Sequence, residues 1–125
     1  MSPAAGGRAP LVPQRLMGGD FTRIYKLGRR ARGTQLTVVA LENALGKRRM
    51  GLSVGKRHAK GAVDRNRARR ILREAFRLSR DELPTGVDVI LIPHPGGPRV
   101  ELAVVRTELI ELVPRALRKK AKETP

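Results

Sequence analysis

The stretch over residues 62–80, AVDRNRARRILREAFRLSR, leaves this chain few ways to fold. Wound at about 100° per residue, it becomes a helix with two unlike faces. Ala68, Ile71, Leu72, Ala75 and Leu78 fall on one side. Arg69, Arg70, Arg73 and Arg77 share the other, with Asn66 inside their arc and Arg65 at its edge. Such a helix is buried along one stripe only. It must lie on a core built by other elements and turn its arginines outward. Asp64 is expected to cap it, and it is expected to end near Arg80. A solvated charged face is the bland alternative, but only Glu74 balances this cluster. Guanidinium groups fork onto phosphate oxygens, and an amide such as Asn66 bonds a phosphate, a sugar hydroxyl or a base edge.

The remaining elements follow from punctuation and periodicity. Asp20 is a good helix cap; Phe21, Ile24, Tyr25 and Leu27 follow at helical spacing, and Gly28 can close the turn. Residues 28–33 read as a basic turn. Residues 35–42 read as a strand, with Thr37, Val38 and Val39 β-branched. The turn at residues 43–47 suggests an antiparallel hairpin into a second strand, residues 50–54. After the arginine helix, Leu83-Pro84-Thr85-Gly86 is a break. Residues 87–92, VDVILI, form a nearly continuous apolar run, as expected of a buried strand that Pro93 ends. A last helix begins near Glu101 with Leu102, Val105, Leu109, Leu112 and Val113 on one side. Pro114 is expected to kink or restart it, at about 3 kcal/mol if fully interior. The order is helix, strand, strand, helix, strand, helix: an α+β two-layer sandwich. One domain spans residues 18–122, preceded by a flexible basic arm over 1–17 and followed by a frayed tail over 123–125.

Charge narrows the partner. With 27 Lys and Arg against 11 Asp and Glu, the net charge is +16. Self-repulsion on that scale asks for a polyanion, and nucleic acid is the first candidate. No apolar run approaches the roughly 20 residues of a spanning helix. The N-terminus lacks the apolar segment of a secretory signal. There is no cysteine, hence no disulfide framework and no thiolate metal site.

No catalytic constellation is visible. His58 and His94 share no metal-ligand spacing, the carboxylates are spread singly, and Glu108 and Glu111 read as the solvated face of the last helix. The loop Gly55-Lys56-Arg57-His58-Ala59-Lys60-Gly61 is more informative. Its glycines let backbone approach a partner, and it feeds a helix N-terminus, which favours phosphate. With only two Phe and one Tyr, a sheet platform stacking several bases is excluded. Phe76 belongs to the core. Phe21 and Tyr25, one turn apart, either dock the first helix on the sheet or form a ledge beside single-stranded nucleic acid.

Lys56-Arg57, followed by Ala62-Val63-Asp64-Arg65-Asn66-Arg67-Ala68-Arg69-Arg70-Ile71-Leu72-Arg73-Glu74-Ala75-Phe76-Arg77, closely resembles the signature of the bacterial ribonuclease P protein subunit. Asp20-Phe21, Ile24-Tyr25, Gly28, Met50-Gly51-Leu52-Ser53-Val54, Leu83 and Asp88-Val89-Ile90 fit the same family in order and spacing. The resemblance spans about residues 15–113. It implies a left-handed β-α-β crossover in a mostly antiparallel sheet, against the usual handedness. It also implies a cytoplasmic partner of a catalytic RNA that removes 5′ leaders from precursor tRNA, with Mg2+ held mainly by that RNA. Arg65, Asn66, Arg67, Arg69, Arg70 and Arg73 match the family's RNA-facing segment, to which Lys60 is added. Phe21, Tyr25, Lys56 and Arg57 match its leader cleft. On the first long strand the family often carries an aromatic where this chain has Leu36 or Val39. The rival reading is a ribosomal or general structured-RNA-binding protein; a DNA-binding regulator lacks helix-turn-helix spacing.

Overall fold

The computed structural model describes residues 15–96 and 99–119. Its elements are α1 (Gly18–Leu27), β1 (Arg29–Arg32), β2 (Leu36–Glu42), β3 (Arg48–Leu52), α2 (Ala62–Ser79), a short 3-10 turn (Arg80–Glu82), β4 (Val87–Pro93) and α3 (Leu102–Arg118). The expected α+β sandwich is present, with one strand more than the residues suggested. β1 was read as a turn because three of its four residues are arginine, and only Ala31 is buried.

The sheet order is β1-β2-β4-β3. β1 and β4 flank β2 antiparallel, while β3 runs parallel to β4, so β3, α2 and β4 form a β-α-β unit. The hairpin expected between β2 and β3 is therefore absent: β4 lies between them. The reason is burial. β4 is buried along nearly its whole length and belongs in the centre, whereas β3 brings Arg48 and Arg49 and suits an edge.

One face of the sheet carries the main core. Val38, Val89 and Leu91 pack with Leu72 of α2 and Leu109 and Leu112 of α3. Fully burying each such side chain contributes about 1.5–3 kcal/mol. The buried stripe of α2 is Ala68, Leu72, Ala75, Phe76 and Ser79, with Ile71 half-buried. Leu78, expected inside, is exposed. α2 also starts earlier than expected. Gly61 is its cap, and Asp64 sits in the first turn, where its charge favours the helix dipole. In the same way α1 starts at Gly18, and Asp20 accepts the Met17 N–H from inside the helix, at 3.0 Å.

α1 lies on the opposite face, where Ile24 joins Val39, Ile90 and Leu16 in a smaller cluster. Of the arm expected over residues 1–17, residues 1–14 lie outside the described residues, as do Lys120 to Pro125 at the other end. Leu16 is buried, and its N–H bonds the Met50 carbonyl at 3.2 Å.

One further expectation is corrected on α3, that for Glu108. The helix runs through Pro114 to Arg118, with Val113 and Ala116 buried on either side of the proline. Glu108 is not a solvated residue. Its carboxylate is buried and accepts the N–H groups of Thr34, Gln35 and Leu36 at 2.6, 3.0 and 3.1 Å, and the Thr34 hydroxyl at 2.5 Å. Burial alone would raise its pKa; these donors outweigh that and hold it low. Glu108 thus fastens the β1–β2 turn to α3.

Candidate nucleic-acid interface

Strand alternation and register decide what meets on the α1 face. One row runs Arg30, Val39, Ile90, Gly51 from β1 to β3, and α1 lies across it. Phe21 stands over Gly51. A Cβ at Gly51 would run into the tip of the Phe21 ring, so glycine is what lets the ring reach the strand. Tyr25, one turn on, has its ring centroid 6.5 Å from that of Phe21, and the Arg30 guanidinium lies 5.8 Å from the Tyr25 centroid. Both rings pack on the smaller cluster and both are only half-buried. The two rings dock α1 on the sheet and leave part of their surface exposed.

The next row, on the Phe21 and Tyr25 side of α1, is Arg32, Thr37 and Ile92. The Thr37 hydroxyl lies 3.2 Å from His94 Nε2, and His58 Nδ1 lies 3.0 Å from the His94 carbonyl. The Gly96 N–H bonds the Arg57 carbonyl at 2.9 Å, which ties the loop carrying Lys56 and Arg57 to the end of β4. Both cationic side chains are exposed.

On the other side of α1 the row contains Asp88, fully buried within the apolar run of β4. It accepts Arg23 at 2.8 Å, Arg49 through two nitrogens at 2.9 Å each, and Asn43 at 2.7 Å. Burial pushes the Asp88 pKa up, and the hydrogen bonds from Arg49, Arg23 and Asn43 overcome this and hold it below its ordinary 3.8. Asp20 joins through Arg23 at 3.5 Å and Arg49 at 3.4 Å. This network pins α1 to the sheet and so sets the position of Phe21. Arg23 and Arg49 carry no signal in the sequence, because their partner is distant in the chain.

A cleft of about 660 Å³ opens along the β3 edge. Phe21, Leu16 and Arg15 form one wall, Met50, Gly51 and Leu52 the floor, and Arg69, Arg70, Arg73, Arg77 and Arg80 of the arginine helix and its end the other wall. It joins Phe21, from the expected leader set, to three residues of the expected RNA-facing set. Arg15, from the segment expected to be an arm, and Arg80 also line it, and neither has a sequence signal for this place. Tyr25, Lys56, Arg57, Lys60, Arg65, Asn66 and Arg67 are not among the lining residues.

The arginines are not equivalent. Arg65 donates to the carbonyls of Ala59 and Lys60, at 3.1 and 2.5 Å, and Arg69 to that of Val54, at 3.1 Å, and to Asn66 Oδ1, at 2.8 Å. These two brace the basic loop against α2. Arg77 pairs with Glu74 at 2.6 Å. Arg70 and Arg73 are exposed, and neither meets a carboxylate among the described residues. No group of three His, Cys, Asp or Glu that could hold a metal gathers among the described residues.

Known proteins resemble this arrangement. The chain is 42% identical to the ribonuclease P protein component of Desulfotalea psychrophila over 79 residues, 63% of this chain and 65% of that protein. It thus spans just under two thirds of that relative's length. With the Edwardsiella ictaluri ribonuclease P protein component it shares 36% identity over 96 residues, 77% of this chain and 79% of the relative. The structure of an RNase P protein mutant from Staphylococcus aureus superposes with a TM-score of 0.73 at 27% identity, covering 86% of this chain and 91% of that one. The family described as Ribonuclease P matches residues 15–117, which takes in the cleft, the arginine helix and the core beneath them: the chain belongs to the ribonuclease P protein family.

Proposed function

We propose that this chain is the protein subunit of a ribonuclease P particle in the cytoplasm, assisting endonucleolytic 5′ maturation of tRNA. The arginine face of α2, with Lys60, Arg65, Asn66, Arg67, Arg69, Arg70 and Arg73, binds the RNA subunit. The groove bordered by Phe21, Tyr25, Lys56 and Arg57 holds the 5′ leader of precursor tRNA. The observation that carries this reading is the β3-edge cleft, where an aromatic ring from α1 faces the unpaired arginines of α2 across a strand floor. Rings accept sugars and bases and arginines accept phosphates, which is what a single strand presents. The leader contact exists only before cleavage, so it favours precursor over mature tRNA. Hydrolysis belongs to the RNA, with Mg2+ held by its phosphates, since that ion keeps its waters and favours phosphate oxygens.

The test is reconstitution with the cognate RNA subunit and a precursor tRNA. The expected result is cleavage at the 5′ end of the mature sequence, with tighter binding of precursor than of mature tRNA. Recovery of ribosomal particles instead of one structured RNA in a lysate pull-down would favour the general RNA-binding reading.

A further inference from the structure

β1 is a four-residue edge strand with three arginines, and alternation sends them two ways. Arg29 shares a face with buried Ala31. Its guanidinium donates to the carbonyls of Leu117 and Lys119, at 3.1 and 2.9 Å, and pairs with Glu42. That arginine is a clamp on α3. Arg30 and Arg32 point to the α1 face, opposite Val39 and Thr37. Both are exposed, and neither meets a carboxylate among the described residues.

We infer that Arg30 and Arg32 form the far end of the outer-face groove and take phosphates of the single-stranded RNA after it has crossed the sheet past Phe21 and Tyr25. The inference rests on reading that groove as the leader site. Phe21 stands at β3, and β1 lies three strand spacings away, roughly 14 Å at about 4.8 Å each. Tyr25 lies part-way across, its ring 6.5 Å from Phe21, and the Arg30 guanidinium reaches to 5.8 Å from that ring from β1. A guanidinium held over a ring spends its face and keeps its N–H edge for an anion. Arg32 continues the line along the Thr37 and Ile92 row. A strand laid from Phe21 to Tyr25 therefore emerges onto two cations.

Charge on an edge strand also discourages pairing between copies, and the experiment separates the two roles. Particles reconstituted with the full chain, either wild type or Arg30→Gln/Arg32→Gln, are titrated with precursor tRNAs whose leaders increase in length. The quantity read is the ratio of Kd for the shortest leader to Kd for the longest. In wild type the ratio rises with length; in the double variant it is expected to fall by about tenfold, as for loss of charged hydrogen bonds. Arg30→Lys, which keeps charge without the planar fork, is expected to fall between. An undiminished ratio in the double variant overturns the inference, and self-association of that variant would then identify edge protection as the role. If wild type shows no dependence on leader length while Phe21→Ala/Tyr25→Ala is also without effect, the groove reading fails and this inference with it. Dependence that requires the rings but not the arginines overturns the inference alone.

Discussion

At Gly51 a single hydrogen atom separates a ring on a strand from a ring in solvent. Gly51→Ala puts a methyl group where the Phe21 ring tip sits, so ring and strand must part. The expected result is a stability loss of about 1–3 kcal/mol, read by urea unfolding, together with weaker binding of precursor tRNA. Asp88 acts at the same scale. Its pKa is held below 3.8, so the stabilisation is fully present above that value and is lost as pH falls through the lowered pKa. Asp88→Asn is expected to unfold more easily at pH 7. The gap between variant and wild type is expected to begin closing as pH drops below about 3.8, where the unfolded chain takes up its proton, and to be gone once pH is below the lowered native pKa. A gap independent of pH would mean that the Asp88 charge contributes nothing. Asp88→Ala removes the nearer anion of Arg23 and Arg49 and leaves them only Asp20, at 3.5 and 3.4 Å; it is expected to cost about 3 kcal/mol.

The arginine helix divides its side chains between those that brace the basic loop and those exposed on the cleft wall. Arg70→Ala and Arg73→Ala remove exposed cations from the cleft wall. Each is expected to weaken binding of the RNA subunit by about 1.5–3 kcal/mol while leaving the thermal midpoint unchanged. Arg69→Ala is expected to do both, because the Val54 carbonyl and Asn66 lose their donor and the basic loop loosens. Binding titrations with thermal unfolding of the free proteins distinguish these classes. Binding should also weaken with salt, by roughly 0.7–0.9 log units per tenfold salt for each phosphate neutralised, and each lost phosphate contact should lower that slope. A slope that stays the same in Arg70→Ala/Arg73→Ala places those phosphates elsewhere.

At the scale of the molecule, a net charge of +16 on 125 residues is carried by a fold with one main core. On the proposed function, RNA would bind the folded state, and the thermal midpoint is then expected to rise with RNA concentration, by mass action. The protein freed of RNA is expected to leave precursor tRNA uncut. His58 and His94 are engaged near the β4 end, and the buried carboxylates Asp88 and Glu108 are each saturated by donors. Cleavage by RNA-free protein, assayed at high Mg2+, would refute the assignment of hydrolysis to the RNA.

The two-faced helix was legible because its information is local: periodicity separates arginine from apolar residues within a few turns, and the α2 stripe is buried largely as spaced. The apolar run of β4 marked a central strand for the same reason. The family was legible in the same way, since its signature is a contiguous string. Tertiary structure alone decided that β4 enters between β2 and β3 and that the arginine-rich β1 is a strand. Pairing energy there is set by neighbours remote in sequence. It alone turned Glu108 inward, because its donors come from the β1–β2 turn, and gathered Arg23, Arg49 and Asn43 around Asp88. The cleft belongs to this second kind of information. Phe21, Gly51 and Arg73 are far apart along the chain, and only a parallel strand between two helices on opposite faces brings them to one edge.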